Sequence, residues 1–195
     1  MSTPLSKGKR PVAPAVLLAL GLLVSLTLAA LVLIGAGQLG RGAIAARPTP
    51  IPGRAASGQP APDFTATALD GTTIRLSDLR GYPVALNFWA TWCGPCRFEM
   101  VELEAAQARY RDSGLVILAV NAGESAEDIR AYVDEMGLAL TVILDPQGAV
   151  LDLYEVRALP TTIWIDGEGI IRAEHLGPLD AQLIDRYIGD LLGSE

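Results

Sequence analysis

Two cysteines separated by two residues are the side chains of this sequence best suited to chemistry. They are Cys93 and Cys96, the only cysteines of the chain, and Gly94 and Pro95 lie between them. Such a pair can exchange with disulfides of another molecule, because the first thiolate attacks and the second thiol resolves the mixed disulfide. A structural disulfide gains most when it closes a long loop, and this pair closes almost none. The spacing therefore favours exchange chemistry over a structural bridge or half of a metal site.

The position of the pair relative to a predicted helix gives the two thiols different properties. Pro95 suits the first turn of a helix, where its missing N–H is not needed. Cys93 then lies at the helix start, where unpaired N–H groups and the helix dipole favour its thiolate form. Cys96 lies one turn later, close to Cys93 in space. We expect an exposed attacking thiol at Cys93 and a partly covered resolving thiol at Cys96, with Trp92 at the rim of the site.

Metal and haem sites lack the residues that they need. His175 is the only histidine, and one histidine with two cysteines cannot supply the four ligands of a zinc site. Arg97 rather than histidine follows Cys96, which excludes a haem attachment motif. We therefore predict no metal site and no bound cofactor, and a structural or exposed position for His175 on a strand.

The charges divide the chain into two parts of opposite sign. Residues 1–62 carry six cations and no acidic residue, whereas residues 63–195 carry nine arginines and all 22 acidic residues, a formal net charge of −13. A domain with this charge repels phosphate backbones, so nucleic acid is not expected as a partner. The second part is long enough for one ordinary hydrophobic core. We predict a single acidic domain over residues 63–195.

An uncharged stretch near the N-terminus predicts a transmembrane anchor. Residues 12–34 contain no charge, and a helix of this length spans about 35 Å against a hydrocarbon core of about 30 Å. Three cations lie within residues 1–11, so we expect this segment in the cytoplasm and the acidic domain outside it. A cleaved signal peptide is the competing interpretation, because residues 43–45 resemble a cleavage site. Residues 35–62, which are rich in glycine and proline, are predicted to be a linker.

The acidic domain alternates between predicted strands and helices. Asp70-Gly71 marks a hairpin turn between strands at 64–68 and 72–76. Further strands are predicted at 84–89, 115–120, 140–144, 161–165 and 170–176, and helices at 95–111, 125–136, 149–154 and 180–192. This order predicts an α/β fold with a mixed central sheet flanked by helices. The helix after the cysteines is expected to bury one apolar face, formed by Phe98, Val101, Ala105 and Ala108.

The segment from Asn87 to Arg97, NFWATWCGPCR, resembles the active-site segment of the TlpA/ResA-like thiol–disulfide oxidoreductases of the thioredoxin superfamily. The resemblance extends from about Pro60 to the C-terminus and includes residues 61–64, 120–125 and 159–162. WCGPC is shared widely among thioredoxins, so the preceding hairpin and an insertion after the second buried strand narrow the resemblance to this group. It implies a thioredoxin-like fold with an N-terminal β-hairpin, and the predicted anchor agrees with it.

The resemblance also implies roles for single residues. Cys93 and Cys96 match the attacking and resolving cysteines of the family. Pro160, followed by Thr161, matches a cis-proline that faces the cysteines and helps to dock an extended substrate strand. Glu99 matches a carboxylate that tunes cysteine protonation in ResA-type members, and a solvated position on the helix surface is the alternative for it.

Two positions depart from related proteins. Thioredoxin has a buried aspartate where Asn87 stands, and an amide cannot titrate. The proton acceptor for Cys96 must therefore be Glu99, another acid or water. Members of the family usually carry a proline where Val101 stands, so we expect a straighter helix in this protein.

The function implied by the resemblance is the reduction of protein disulfides outside the cytoplasm. Expected substrates include the CxxCH cysteines of apocytochromes c before haem attachment. Electrons are expected from a membrane thiol carrier of the DsbD/CcdA kind, because that compartment is oxidising.

Two other functions remain as alternatives. Residues 61–64 and the hairpin also resemble peroxiredoxins, but Leu86 and Ala90 stand where the peroxiredoxin pattern Pro-x-x-x-Thr-x-x-Cys has proline and threonine. The second is a non-catalytic, membrane-tethered thiol chaperone or copper-handling module. Copper-handling relatives of this fold use Cys-x-x-x-Cys spacing and a suitably placed histidine, whereas this chain has Cys-x-x-Cys spacing and only His175.

Fractionation of cells tests the predicted anchor. We expect the protein to sediment with membranes and to stay there after a high-salt wash, because salt screens charges but does not weaken hydrophobic insertion. A protease added outside the cytoplasmic membrane should release a fragment close to residues 63–195. Recovery of free mature protein that begins near Ala46 would instead favour a cleaved signal peptide.

Overall fold

The computed structural model describes residues 57–193, which include nearly all of the predicted acidic domain. The predicted N-terminal segment at 1–11, the anchor at 12–34 and most of the linker lie outside these residues. None of the helices within residues 57–193 has the length and hydropathy needed to cross a membrane. Residues at the end of the predicted linker pack on the domain, since the backbone N–H of Gly58 donates to the carbonyl of Ile171.

Within residues 57–193, seven strands form two sheets. A two-stranded antiparallel sheet pairs β1 (Thr65–Thr67) with β2 (Thr73–Arg75) across the turn at Asp70-Gly71. The central sheet contains β3 (Val84–Trp89), β4 (Val116–Ala122), β5 (Thr141–Asp145), β6 (Thr161–Ile165) and β7 (Ile171–Leu176). Its strand order is β5-β4-β3-β6-β7, in which β3, β4 and β5 are mutually parallel while β6 runs antiparallel to both β3 and β7. The predicted mixed central sheet is confirmed.

In this described part of the chain, four α-helices accompany the sheets: α1 (Gly94–Arg109), α2 (Ala126–Met136), α3 (Ala149–Leu153) and α4 (Ala181–Leu192). Short 3-10 helices cover Leu76–Leu79 and Arg111–Ser113. Each helix and each strand of the central sheet begins and ends within two residues of the predicted bounds. Ser125 and Asp180 cap α2 and α4, because their side-chain oxygens accept hydrogen bonds from the first-turn N–H groups of Asp128 and Leu183.

The core lies on both faces of the central sheet. One side packs α1, α2 and α4 against β3, β4 and β6, and the other side is covered by the β1–β2 pair and α3. Every residue of β3 is buried, since the strand has a neighbour on each side and is covered on both faces. This position explains why β3 is an almost continuous apolar run in which Asn87 is the one polar residue.

The buried face of α1 is not the predicted one. The helix buries Cys96, Glu99, Met100, Leu103 and Ala106. The predicted face lies in solvent instead, with Phe98 79% exposed and Val101 49% exposed. Spacings of three and four residues between apolar side chains occur on both sides of this helix, so the pattern alone does not specify a face. Because the buried face contains Glu99, the exposed face with Phe98 and Val101 is the more apolar of the two in sequence.

Candidate active site

Cys93 and Cys96 lie at the start of α1 and are joined by a disulfide, with Cα atoms 5.3 Å apart. Cys93 is the N-cap residue, and its Sγ accepts a hydrogen bond from the backbone N–H of Cys96 at 3.3 Å. Cys93 is 5% exposed and Cys96 is 1% exposed. Cys93 is thus the more exposed of the two, but it is less exposed than expected, because the disulfide and the capping hydrogen bond draw its sulfur against the helix.

The residues around the cysteines separate into a buried part and a solvent-exposed part. Trp92 is 71% exposed beside Cys93, whereas Trp89 is fully buried with its ring centroid 5.2 Å from that of Tyr132. Gly94 is exposed, and a Cβ atom built on it would meet no other atom within 4 Å. Solvent therefore reaches the dipeptide Gly94-Pro95 between the two cysteines.

Pro160 lies at the same end of the sheet as the cysteines. The Leu159–Pro160 peptide bond is cis. Thr161, the first residue of β6, pairs with Phe88 near the end of β3 that leads to Cys93. Its hydroxyl donates to the carbonyl of Ala158 at 2.8 Å. Pairing between β3 and β6 thus brings two segments that are distant in sequence to one edge.

Glu99 is buried, at 1% exposure, so the alternative of a solvated surface position is wrong. Its Oε1 atom accepts two hydrogen bonds, from Asn87 Nδ2 at 3.1 Å and from the Thr162 hydroxyl at 2.9 Å. Asn87 Nδ2 also donates to Thr162 Oγ1 at 2.9 Å. Within residues 57–193, Glu99 Oε2 has no hydrogen-bond partner. Oε1 of the carboxyl group is therefore hydrogen-bonded, and Oε2 is not.

Burial raises the pKa of Glu99 from its ordinary value of 4.5 to about 7, and the hydrogen bond from Thr162 acts in the opposite direction. A carboxyl with this pKa can both accept and release a proton near neutral pH. Glu99 follows Cys96 by three residues on the buried face of α1, a spacing that makes side chains neighbours on a helix. The position suits proton exchange with the Cys96 thiol.

Glu124 is a site residue that the sequence reasoning did not single out. Its carboxylate accepts hydrogen bonds from both the backbone N–H and the hydroxyl of Thr91, two residues before Cys93. Asn121 Nδ2 donates to the same carboxylate at 2.7 Å, and Asn121 pairs with Trp89 across β3 and β4. Glu124 therefore fixes the loop that carries the cysteines. The signal available in the sequence was an acidic residue two positions after the end of β4, the strand that neighbours β3.

Arg97 and His175 have partners other than the two cysteine sulfur atoms. Arg97 lies over the ring of Tyr132 and forms an ion pair with Glu135 at 3.6 Å. His175 Nδ1 lies 3.2 Å from the Tyr187 hydroxyl. Over residues 57–193, no group of three or more His, Cys, Asp or Glu side chains is arranged to hold a metal ion.

An open apolar groove of about 1080 Å³ adjoins the dipeptide between the cysteines. It runs over the exposed face of α1, and its apolar lining includes Pro95, Phe98, Val101, Met136 and Leu179. Phe98 and Val101, two of the four residues of the predicted buried face, thus line a surface beside the disulfide.

A disulfide-bonded Cys-x-x-Cys pair at the start of the helix after a central β-strand, with a cis-proline at the same end of the sheet, is the arrangement of a thioredoxin-fold thiol–disulfide oxidoreductase. Residues 57–174 match the model of the AhpC/TSA family. The chain is 41% identical over 133 residues to the thiol-disulfide oxidoreductase ResA of Geobacillus kaustophilus, an alignment that covers 68% of this chain and 76% of that protein. The chain belongs to the AhpC/TSA family and, within it, to the ResA-type thiol–disulfide oxidoreductases.

Other relatives agree with this assignment. The thioredoxin-like protein YneN of Bacillus subtilis is 42% identical over 134 residues, which cover 67% of this chain and 78% of YneN. A structure assigned to the thiol:disulfide interchange protein DsbE of Chlorobium tepidum has a TM-score of 0.67 at 34% identity and covers 71% of this chain and 99% of that one. The exposed lipoprotein thioredoxin Etrx1 of Streptococcus pneumoniae has a TM-score of 0.60 at 32% identity, over 67% and 100% of the two chains.

Replacement of Glu99 by glutamine should change how stability depends on pH. Because the pKa of Glu99 is higher in the folded than in the unfolded chain, the unfolded chain loses the carboxyl proton first as the pH rises. The stability that the protonated Glu99 contributes is therefore complete below about pH 4.5 and is lost as the pH rises through about 7. The loss amounts to about 3 kcal/mol. Urea unfolding of the oxidised protein from about pH 4 to about pH 8 should show this decline in the wild type and not in Glu99→Gln.

Glu102, a partly exposed glutamate on the same helix, provides the control. Glu102→Gln should keep the wild-type decline in stability. An equal decline in the Glu99→Gln protein would mean that Glu99 does not titrate in this range.

Proposed function

We propose that the protein reduces protein disulfides outside the cytoplasm, with Cys93 as the attacking and Cys96 as the resolving thiol. The observation that carries this proposal is the cysteine pair at the N-terminus of α1 with a buried carboxyl, Glu99, one turn beyond Cys96. The helix N-terminus favours a thiolate at Cys93, and the carboxyl offers a proton acceptor for Cys96.

The reaction proceeds in two exchanges that begin from the reduced pair. The Cys93 thiolate attacks one sulfur of the substrate disulfide, which breaks that bond, forms a mixed disulfide and releases one substrate sulfur as a thiolate that takes up a proton. Glu99 then accepts the proton of the Cys96 thiol. The Cys96 thiolate attacks the Cys93 sulfur, which closes the Cys93–Cys96 disulfide and releases the second substrate sulfur. Two electrons have passed from the cysteine pair to the substrate.

The surface around the disulfide supports a protein substrate. By the ResA-type resemblance, the cis-proline Pro160, followed by Thr161, helps to dock an extended substrate strand. Trp92, which is 71% exposed, lies at the rim. The apolar groove over α1 can hold neighbouring apolar side chains of a protein substrate. On the strength of the ResA-type resemblance, we propose the CxxCH cysteines of apocytochromes c as one substrate class.

The proposed location determines where the electrons come from. An anchor at residues 12–34 would hold the domain at the outer face of the cytoplasmic membrane, and that compartment is oxidising. A reductant there must be recharged through the membrane, so we propose a membrane thiol carrier of the DsbD/CcdA kind as the electron donor.

Peroxide reduction is less well supported by the site. Leu86 and Ala90 are both fully buried and apolar, at the positions where the peroxiredoxin pattern has proline and threonine. Without that threonine hydroxyl, the site has one fewer group to orient a peroxide at Cys93.

Alkylation of the reduced protein tests the roles of the two cysteines. At mildly acidic pH we expect Cys93 to be modified first, because it lies at the helix N-terminus, which favours its thiolate, and Cys96 is the more deeply buried residue. Mass spectrometry of limited digests identifies the labelled cysteine. Preferential labelling of Cys96 would reverse the two roles.

Trapping of substrates tests the same assignment. The Cys96→Ser variant should accumulate mixed disulfides with its substrates, because the resolving thiol is absent.

The reduction potential tests the direction of electron flow. Gly94 and Pro95 supply neither a cation nor an imidazole to stabilise the thiolate, and the acidic domain opposes it. We therefore expect a potential closer to the value of about −270 mV for thioredoxin than to that of about −120 mV for the strong oxidant DsbA. Equilibration of the protein with glutathione or dithiothreitol buffers measures the potential. A midpoint more positive than about −180 mV would indicate an oxidase or isomerase instead.

A further inference from the structure

We propose that Thr162 is a positioning residue for proton transfer at Glu99: its hydroxyl, together with Asn87, occupies Oε1, so that the proton is exchanged at Oε2. The inference rests on the proton-accepting role proposed above for Glu99 and goes beyond it in assigning the group that sets the protonation of this carboxyl and the oxygen that carries the proton.

The hydrogen bonds leave only one direction for the Thr162 hydroxyl. The amide nitrogen of Asn87 can only donate, so at 2.9 Å from Thr162 Oγ1 it makes that oxygen an acceptor. The single proton of the hydroxyl is then directed to Glu99 Oε1, at 2.9 Å. Thr162 is fully buried, so its hydroxyl does not face bulk solvent. The chain from Asn87 through Thr162 to Glu99 is therefore directional.

The two oxygens of Glu99 are consequently inequivalent. Oε1 accepts from two donors, while Oε2 has no partner within the described part of the chain. Both donors stabilise the ionised carboxylate, and neither can accept a proton from it. A proton that arrives at Glu99 binds to Oε2, because Oε1 already faces two hydrogens.

Among residues 57–193, no charged side chain competes with Thr162 for control of this carboxyl. Burial and the Thr162 hydroxyl are the two causes of the shifted pKa of Glu99. On β3 the facing residue is Asn87, which does not titrate. On β7, His175 pairs with Thr162 across the sheet and contacts Tyr187 of α4. On α1 itself, Cys93 and Cys96 precede Glu99 and are bonded to each other in this structure.

Thr162→Val is the direct test, because valine retains the shape of threonine and removes only the hydroxyl. In the full-length protein, carbon-13 NMR of labelled glutamate carboxyls follows Glu99, whose signal is identified by its absence in Glu99→Gln. We expect the titration midpoint of Glu99 to rise by about one pH unit or more, since a hydrogen bond to the charged form is lost. Thr162→Ser, which restores the hydroxyl, should return the midpoint to the wild-type value.

Thr161→Val is the matched control for the titration. Thr161 is adjacent, buried and in the same strand, but its hydroxyl donates to the carbonyl of Ala158 rather than to Glu99. Its replacement should leave the midpoint of Glu99 unchanged. An equal rise in this variant would mean that general loosening of β6, and not the Thr162 hydroxyl, controls the carboxyl.

The rate of exchange with a model protein disulfide supplies the functional readout. At a pH below the wild-type midpoint, Thr162→Val should exchange up to about tenfold more slowly than the wild type, because a midpoint higher by about one pH unit lowers the ionised fraction of Glu99 about tenfold there. The two rates should converge at higher pH, and Thr162→Ser should restore the wild-type profile.

The outcomes separate this inference from the proposed function. An unchanged midpoint in Thr162→Val, alongside an altered pH profile in Glu99→Gln, would overturn the inference alone. An unaltered pH profile in Glu99→Gln would overturn the proton-accepting role of Glu99, and the inference with it.

Discussion

The site depends on the pairing of β3 with β4 on one side and with β6 on the other. Each of its last three residues positions one component through the register of the sheet. Asn87 lies across from Thr162 and holds Glu99, Phe88 lies across from Thr161 just after Pro160, and Trp89 lies across from Asn121, which contacts Glu124. A shift of one residue in either pairing would turn these side chains to the opposite face of the sheet. The cysteine loop then continues directly from this strand.

The buried carboxyl shows how the surroundings of a group adjust its chemistry. An unpaired carboxylate in the core would be expensive, and two donors on one oxygen only partly offset that cost. The result is a group whose pKa lies near 7 rather than one that is permanently charged or permanently neutral. Thioredoxin places a titratable aspartate on the strand, whereas this protein has an amide there and the titratable group on the helix. In the proposed mechanism, the proton acceptor is thus provided by the helix rather than by the strand.

The exposed face of α1 links packing to recognition. Phe98 and Val101 lie outside the core because the inner face of the helix is occupied by Cys96, Glu99 and Met100. Their exposure next to Pro95 makes an apolar surface beside the disulfide, where the proposed protein substrate would approach. The face that packs on the sheet therefore carries the groups proposed for the chemistry, and the opposite face is exposed beside them.

The sequence by itself determined the strands and helices of the domain and the cysteine pair, because local periodicity, turn residues and the Cys-x-x-Cys spacing are properties of neighbouring residues. Val84–Trp89 was recognisable as a buried strand from its apolar run, and Pro95 placed Cys93 at a helix start. Only the tertiary structure decided which face of α1 is buried, that Glu99 lies inside and bonds to Thr162, and that Glu124 holds the cysteine loop. These contacts join residues 33 to 63 positions apart, and their existence depends on sheet register and helix rotation, which no local pattern encodes.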